Sequence, residues 1–257
     1  MKIRPLSMKE PLMKSLRHGM LLLGLLPMVA FAAGDGATLQ SANIDVGNTA
    51  SLQRGARLFH NYCLGCHSVE YMRYSRVAED LGLPPELAQE SLIFTDAKLG
   101  DRIEIAMPPE ASADWFGKAP PDLTLTARQR GVDWVYTYLN SFYLDESSTT
   151  GVNNVVFPDV AMPHVLWPLQ GWQAARFAPG EHGADHGAFE GFELVEAGQL
   201  TPGEYDDAIR DITAYMSYLA EPMQTQRQRL GLWVLAFIAV LGVLAYLLKQ
   251  EYWKDVH

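Results

Sequence analysis

The sequence predicts a mainly α-helical exported domain with long irregular loops, followed by one C-terminal transmembrane helix. Three observations lead there. Residues 230–248, LGLWVLAFIAVLGVLAYLL, run for nineteen positions without a charge. Upstream, apolar residues recur at helical spacing in three separate segments, near 52–63, 132–142 and 205–219. Between those segments lie proline pairs and stretches rich in glycine and acids, without the alternation of a half-buried strand.

The N-terminal region has its own pattern. Lys2, Arg4, Lys9, Lys14 and Arg17 precede an apolar run at 22–31, too short to span a bilayer, and small residues follow in AFAAGDG. Basic, apolar, then small is the pattern of a secretory signal peptide, so residues 1–33 are expected to be removed. Residues 34–222 then form the exported domain, and 223–257 an anchor with a short cytoplasmic tail. Nineteen residues of helix reach about 28 Å, the thickness of a hydrocarbon core. Arg227 and Arg229 flank one end; Lys249, Tyr252, Trp253 and Lys254 flank the other, as suits membrane interfaces.

Within the exported domain, residues 34–48 are polar and glycine-rich and read as an irregular arm. Leu52, Ala56, Phe59 and Cys63 share one face of a helix over 51–63. Pro84 and Pro85 open a short helix over 86–94. Proline pairs at 108–109 and 120–121 make 96–125 a loop. Val132, Val135, Leu139 and Phe142 stripe a helix over 131–143. Residues 144–200 show little periodicity and read as irregular. Thr201-Pro202-Gly203-Glu204 is a capping box with proline at the first helical position. The helix it starts carries Tyr205, Ala208, Ile209, Ile212, Tyr215, Met216 and Leu219 on its buried side and ends at Pro222.

Charge narrows the partners. The whole chain carries −10; the signal region holds five basic residues and one acid, so the mature chain carries −14. That surface repels nucleic acid and suits a basic partner. There is no phosphate-cradling glycine loop, no basic patch and no internal repeat.

The chemistry sits in YCLGCHSVEYM, residues 62–72, which holds the chain's two cysteines. In an oxidising compartment two thiols often pair, but a bridge across two residues closes a very small loop. A thioredoxin-type C-x-x-C lacks its βαβ surroundings here. Cys63-Leu64-Gly65-Cys66-His67 instead matches the attachment signature of c-type haem. Two thiols become thioethers, and the adjacent His67 ligates iron. Both thiols are thereby consumed. A thioether in the sixth position would raise the potential and suit electron transfer. Met107, in IEIAMPPEAS, and Met162, in PDVAMPHVLW, both sit in proline-bounded loops, and the residues alone do not choose between them.

The pattern extends beyond that motif. Residues 63–76 (CLGCHSVEYMRYSR) resemble the attachment site of the cytochrome c1 family with its following HS-x-x-Y-x-x-Y. Residues 119–143 (APPDLTLTARQRGVDWVYTYLNSFY) resemble the family's Pro-Pro-Asp-Leu block and subsequent helix. Residues 214–231 (AYMSYLAEPMQTQRQRLG), with the span after them, are similar to its anchor. The resemblance covers nearly the whole mature chain and implies a cytochrome c-like haem domain holding one covalent haem c. It favours Met162 as the distal ligand, has Pro120 and Pro121 pack against the haem, and makes Arg130 the partner of a haem propionate, with Arg128 as its neighbour. It implies one-electron transfer from the Rieske iron–sulfur protein to a cytochrome c, beside cytochrome b, in a dimeric quinol–cytochrome c reductase of the bacterial inner membrane, haem domain in the periplasm. This subunit has no substrate chemistry of its own.

Two departures stand out. Trp115-Phe116 occupies the place where many family members carry asparagines, and the loop over 149–189 differs from mitochondrial forms. His182 and His186 in that loop are spaced as helical metal ligands are, but the glycines between and beside them favour a solvated loop. The rival functions are a free-standing membrane-tethered cytochrome c and a five-coordinate haem peroxidase or sensor.

Overall fold

The computed structural model describes residues 38–178 and 188–254. The expected signal peptide and the His182/His186 loop lie outside the described residues. Among the described residues helices dominate, joined by three small antiparallel two-stranded sheets.

Helix α1 is Thr49–Tyr62, capped by the Asn48 side chain, which accepts from the Ser51 amide at 3.2 Å. Its buried face is Leu52, Gly55, Ala56, Phe59 and His60. The helix ends by turning on itself: the amides of Cys66 and His67 both donate to the Cys63 carbonyl. Strand β1 (Val69–Arg73), helix α2 (Tyr74–Asp80) and helix α3 (Pro85–Leu92) follow, and β1 pairs with the two-residue β2 (Arg102–Ile103). Helix α4 is Pro109–Phe116. Helices α5 (Thr126–Arg130) and α6 (Val132–Asn140) are separated by Gly131, whose φ of 93° no side-chain-bearing residue adopts readily. Strands β3 (Phe142–Leu144) and β4 (Val152–Asn154) pair, helix α7 is Trp167–Gln170, and β5 (Gly171–Phe177) pairs with β6 (Phe189–Ala197). Helix α8 (Pro202–Ala220) and helix α9 (Gln224–Tyr252) complete the chain.

The core forms where α1 crosses α8. Gly55 permits the approach: a Cβ there would lie 2.0 Å from the Asp211 carbonyl oxygen. Phe59, Ile209, Ile212 and Tyr215, all fully buried, fill the crossing, and burying side chains of that size contributes roughly 1.5–3 kcal/mol each. At its edge, Ser51 and the forked Arg54 guanidinium converge on Asp211 at 2.6–2.9 Å. Deeper in, His60 links three helices: its Nδ1–H donates to the Leu92 carbonyl at 2.8 Å, and its Nε2 accepts from the Tyr215 hydroxyl at 3.0 Å. The arm before α1 is irregular but tied down, since the Gln40 and Ala42 amides donate to Thr137 and Asp133 of α6.

The capping box at Thr201 and Glu204 is present as the sequence predicts. Three expectations are corrected. The helix expected over 131–143 ends at Asn140, and Phe142, placed on its stripe, instead begins β3. Residues 96–125 are not loop throughout, because Pro109 starts α4 in the proline-bearing position a first helical turn tolerates. Residues 144–200 are not irregular throughout either: they hold β4, α7 and the β5–β6 hairpin. That hairpin has register shifts at Trp172/Gln173 and Arg176/Phe177 and exposes much of both faces, so no two-residue apolar period marks it.

Helix α9 spans 29 residues and buries none of them, although its centre is wholly apolar. A helix of that composition, long enough to cross a bilayer and without protein around it, has lipid as its fitting solvent. Only Glu221, Pro222 and Met223 separate it from α8. The junction is clamped: Arg227 of α9 pairs with Glu221, and Arg128 of α5 stands 3.9 Å from the same carboxylate.

Candidate functional site

A cleft of about 380 Å³ opens between the turn after α1, the 116–123 segment, helices α5 and α6, and the 157–165 loop. It gathers Cys63, Cys66, His67, Pro120, Pro121, Arg130 and Met162. Met107 is not among its lining residues. Met216 of α8 is, and sequence reading treated it only as core.

Each of these side chains has a structural cause. Both cysteines sit on the tight turn that ends α1, and they are not joined to each other. Burial, and then the neighbouring Cys66, pushes the Cys63 thiol up to about 12. A thiol held neutral in that way is the opposite of the low-pKa thiolate of a disulfide oxidoreductase. His67 is buried, and its Nδ1–H donates to the Pro121 carbonyl at 2.8 Å. That hydrogen bond fixes the tautomer and leaves Nε2 bare, the arrangement second partners give to ligating histidines. Burial lowers the His67 pKa, so the imidazole is neutral and able to ligate.

The Pro120-Pro121 segment is itself anchored. Leu123 donates to the Ser68 carbonyl, and the Asp122 carboxylate accepts from the Glu70 and Thr124 amides at 2.8 and 2.9 Å. Among the described residues, Asp122 is the only carboxylate lining the cleft, and the backbone occupies it. Lys118 and Arg130 are the lining cations. Arg130 lies over the Trp134 ring at 5.1 Å, whereas Arg128 faces Glu221 instead of the cleft.

The loop of Met162 supplies another part of the lining. The buried Asn154 side chain accepts from the Val156 and Phe157 amides and donates to the Tyr138 carbonyl. Asp159 turns the chain with φ of 59°. Met162 is half-buried, and its Sδ accepts from the Tyr138 hydroxyl at 3.3 Å. Tyr138 and Trp134 were missed as site residues. Their signal was present, an aromatic pair spaced i, i+4 on α6, but it flanks the stripe that sequence reading assigned to the core, and Val135 and Leu139 of that stripe line the cleft beside it. Trp115, in the place of the family's asparagines, is exposed, and its neighbour Phe116 lines the cleft.

Two thiols on one turn, a neutral imidazole with one bare nitrogen, a thioether, apolar walls and two cations suit a porphyrin with covalent attachment, axial ligands and anionic propionates. Among the described residues, no group of three or more His, Cys, Asp or Glu gathers elsewhere for a metal.

Comparison with known proteins decides the family. Residues 42–256 match the model of the Cytochrome C1 family. The chain belongs to the cytochrome c1 family. It is 54% identical to cytochrome c1 of Allochromatium vinosum over 233 residues, covering 91% of this chain and 96% of that one. It is 42% identical to a Nitrosomonas europaea protein named ammonia monooxygenase gamma subunit, covering 95% and 100%. Cytochrome c1 of Rhodospirillum rubrum is 26% identical, with 80% and 81% covered. As a cytochrome c1 family member the chain carries a covalently bound haem c and has a haem-based electron-transfer role in the bc1 complex, a membrane-anchored redox subunit of a reductase.

Proposed function

We infer that Cys63 and Cys66 would hold the haem through thioethers, that His67 and Met162 would ligate its iron, and that the chain relays single electrons from the Rieske iron–sulfur protein to a cytochrome c. The observation that carries this reading is the convergence in one cleft of both thiols, Met162, and a His67 whose other nitrogen is already bonded to Pro121. Bound haem supplies the one-electron couple; the protein supplies everything that orients and insulates it.

Pro121 holds the imidazole plane by its carbonyl. Pro120, Leu123, Val135, Leu139, Val160 and Val165 keep water from the cleft, which limits reorganisation on electron transfer. Met162 would offer its sulfur to the iron from a loop braced by Asn154. Arg130 and Lys118 are the cations for the propionates, because a carboxylate beside apolar walls needs a charged partner. Arg128 is committed to Glu221 and serves the anchor joint instead.

Residues 1–33 are a signal peptide, 34–222 the periplasmic haem domain and 223–257 the anchor, crossing a bacterial inner membrane once. The three-residue link and the Glu221–Arg227 pair keep the haem domain against the bilayer, beside cytochrome b and the Rieske protein, in a complex that is itself dimeric. The net charge of the mature chain suits a basic acceptor.

Single-turnover reduction in the purified complex tests the relay. Quinol is expected to reduce this haem only while the Rieske protein is present, and onward reduction of a basic cytochrome c is expected to slow as salt rises. Quinol reduction that persists without the Rieske protein contradicts the donor, and a flat salt response contradicts the acidic docking face.

A further inference from the structure

Among the described residues, Tyr138 is the one side chain that donates a hydrogen bond to Met162, and the fold is arranged to aim it. Its ring stacks on Trp134 with centroids 4.9 Å apart and planes 10° from parallel, and Phe142 meets it edge-on at 5.1 Å. Its carbonyl accepts from the Asn154 side chain at 2.8 Å, so the residue that braces the Met162 loop also fixes the tyrosine backbone. Among the described residues, the Tyr138 hydroxyl has one hydrogen-bond partner, Met162 Sδ at 3.3 Å.

A thioether sulfur has two lone pairs. When one faces a metal, the other stays open to a donor, and a buried phenol proton left without an acceptor is costly. We propose that Tyr138 is a positioning residue that holds the Met162 thioether toward the iron and raises the haem's potential by hydrogen bonding to its sulfur. This rests on Met162 being the axial ligand. The hydrogen bond draws electron density from sulfur. Ferric iron depends on that density more than ferrous iron does, so the donor favours the reduced state. A neutral hydrogen bond to a weak acceptor belongs at the low end of net hydrogen-bond strengths. The expected effect on the one-electron equilibrium is therefore about threefold, or ~30 mV at 59 mV per tenfold.

Tyr138→Phe in the full-length membrane protein with haem attached tests this, because the phenyl ring keeps both ring contacts. The readouts are the midpoint potential, the sulfur-to-iron charge-transfer band of the oxidised protein, and the melting temperature. The expected result is a potential lowered about threefold in equilibrium terms, with the band present but displaced and the melting temperature close to the parent's. A purely structural role would not move the potential while leaving melting unchanged. A potential and band identical to the parent's would overturn the proposal. Met162→Leu, measured alongside, separates the two ideas. If it abolishes the band while Tyr138→Phe changes nothing, only the tyrosine proposal falls. If the band survives Met162→Leu, the ligand assignment falls and the tyrosine proposal with it.

Discussion

Gly55→Ala adds one methyl group where α1 crosses α8. Two effects of opposite sign compete. Alanine is the better helix former by about 1 kcal/mol. Against that, the new carbon would sit 2.0 Å from the Asp211 carbonyl oxygen, 2.6 Å from its carbon and 2.9 Å from Tyr215 Cβ. Ordinary contacts lie near ~3.5 Å, so the helices must part by about 1–1.5 Å. Two of the three obstructing atoms are backbone, and no rotamer change relieves them. Parting the helices loosens Phe59, Ile212 and Tyr215 together and lengthens the Arg54 fork on Asp211. Overpacking of this kind costs about 1–3 kcal/mol, and a backbone clash belongs at the upper end. The net loss is then about 2 kcal/mol after the helix-propensity gain, equivalent to ~4–8 °C in melting temperature for a domain of this size. Thermal unfolding of the purified protein, followed by a tertiary-structure signal, reads it directly. Gly203→Ala is the control, since that position in the first turn of α8 meets nothing within 4 Å; it should melt no lower than the parent. A Gly55→Ala protein that melts at or above the parent temperature would refute the crossing argument.

Two further expectations follow from the same structure. Burial lowers the His60 pKa to about 4, despite the opposing Leu92 hydrogen bond. The unfolded chain therefore takes up a proton near 6.5 that the fold refuses, so stability contributed by neutral His60 is intact above about pH 6.5 and declines as pH falls toward 4, by up to ~3 kcal/mol. His60→Gln should be less stable at neutral pH but lose less between pH 6.5 and 4; parallel stability curves for the two proteins would count against this. Arg130→Gln should lower the haem potential, since it removes a cation that favours the reduced state, by less than tenfold in the one-electron equilibrium, ~59 mV. Arg128→Gln should leave the potential alone, and equal shifts in both variants would undo the assignment of Arg130 to the cleft.

How much of this was legible in the sequence depended on whether local pattern or tertiary contact decided the outcome. The turn at Cys63–His67, the capping box at Thr201 and the apolar helix over 230–248 are local, so their residues specify them directly. The α6 stripe of Val135 and Leu139 was readable because one face meets the core. Its flank was not, because Trp134 and Tyr138 are amphipathic and their role depends on Met162, 24 residues beyond Tyr138. Met216 was hidden for a related reason: a methionine at helical spacing on α8 reads as core, and its lining of the cleft emerges only when α1 and α8 cross. The β5–β6 hairpin escaped because it exposes both faces and slips register twice. Pro109 was read as a loop marker when it in fact starts α4, since proline both breaks and begins helices.

A cysteine-bound haem held in this cleft by His67 and Met162 would carry an optical signature of its sulfur ligand. The optical spectrum of the oxidised, full-length protein, taken for the parent and for Met162→Leu, Met216→Leu and Met107→Leu, tests it most directly. A sulfur-to-iron charge-transfer band is expected in the parent, lost with Met162→Leu and kept in the other two. A band that survives loss of Met162 and disappears with Met216 or Met107 would contradict it.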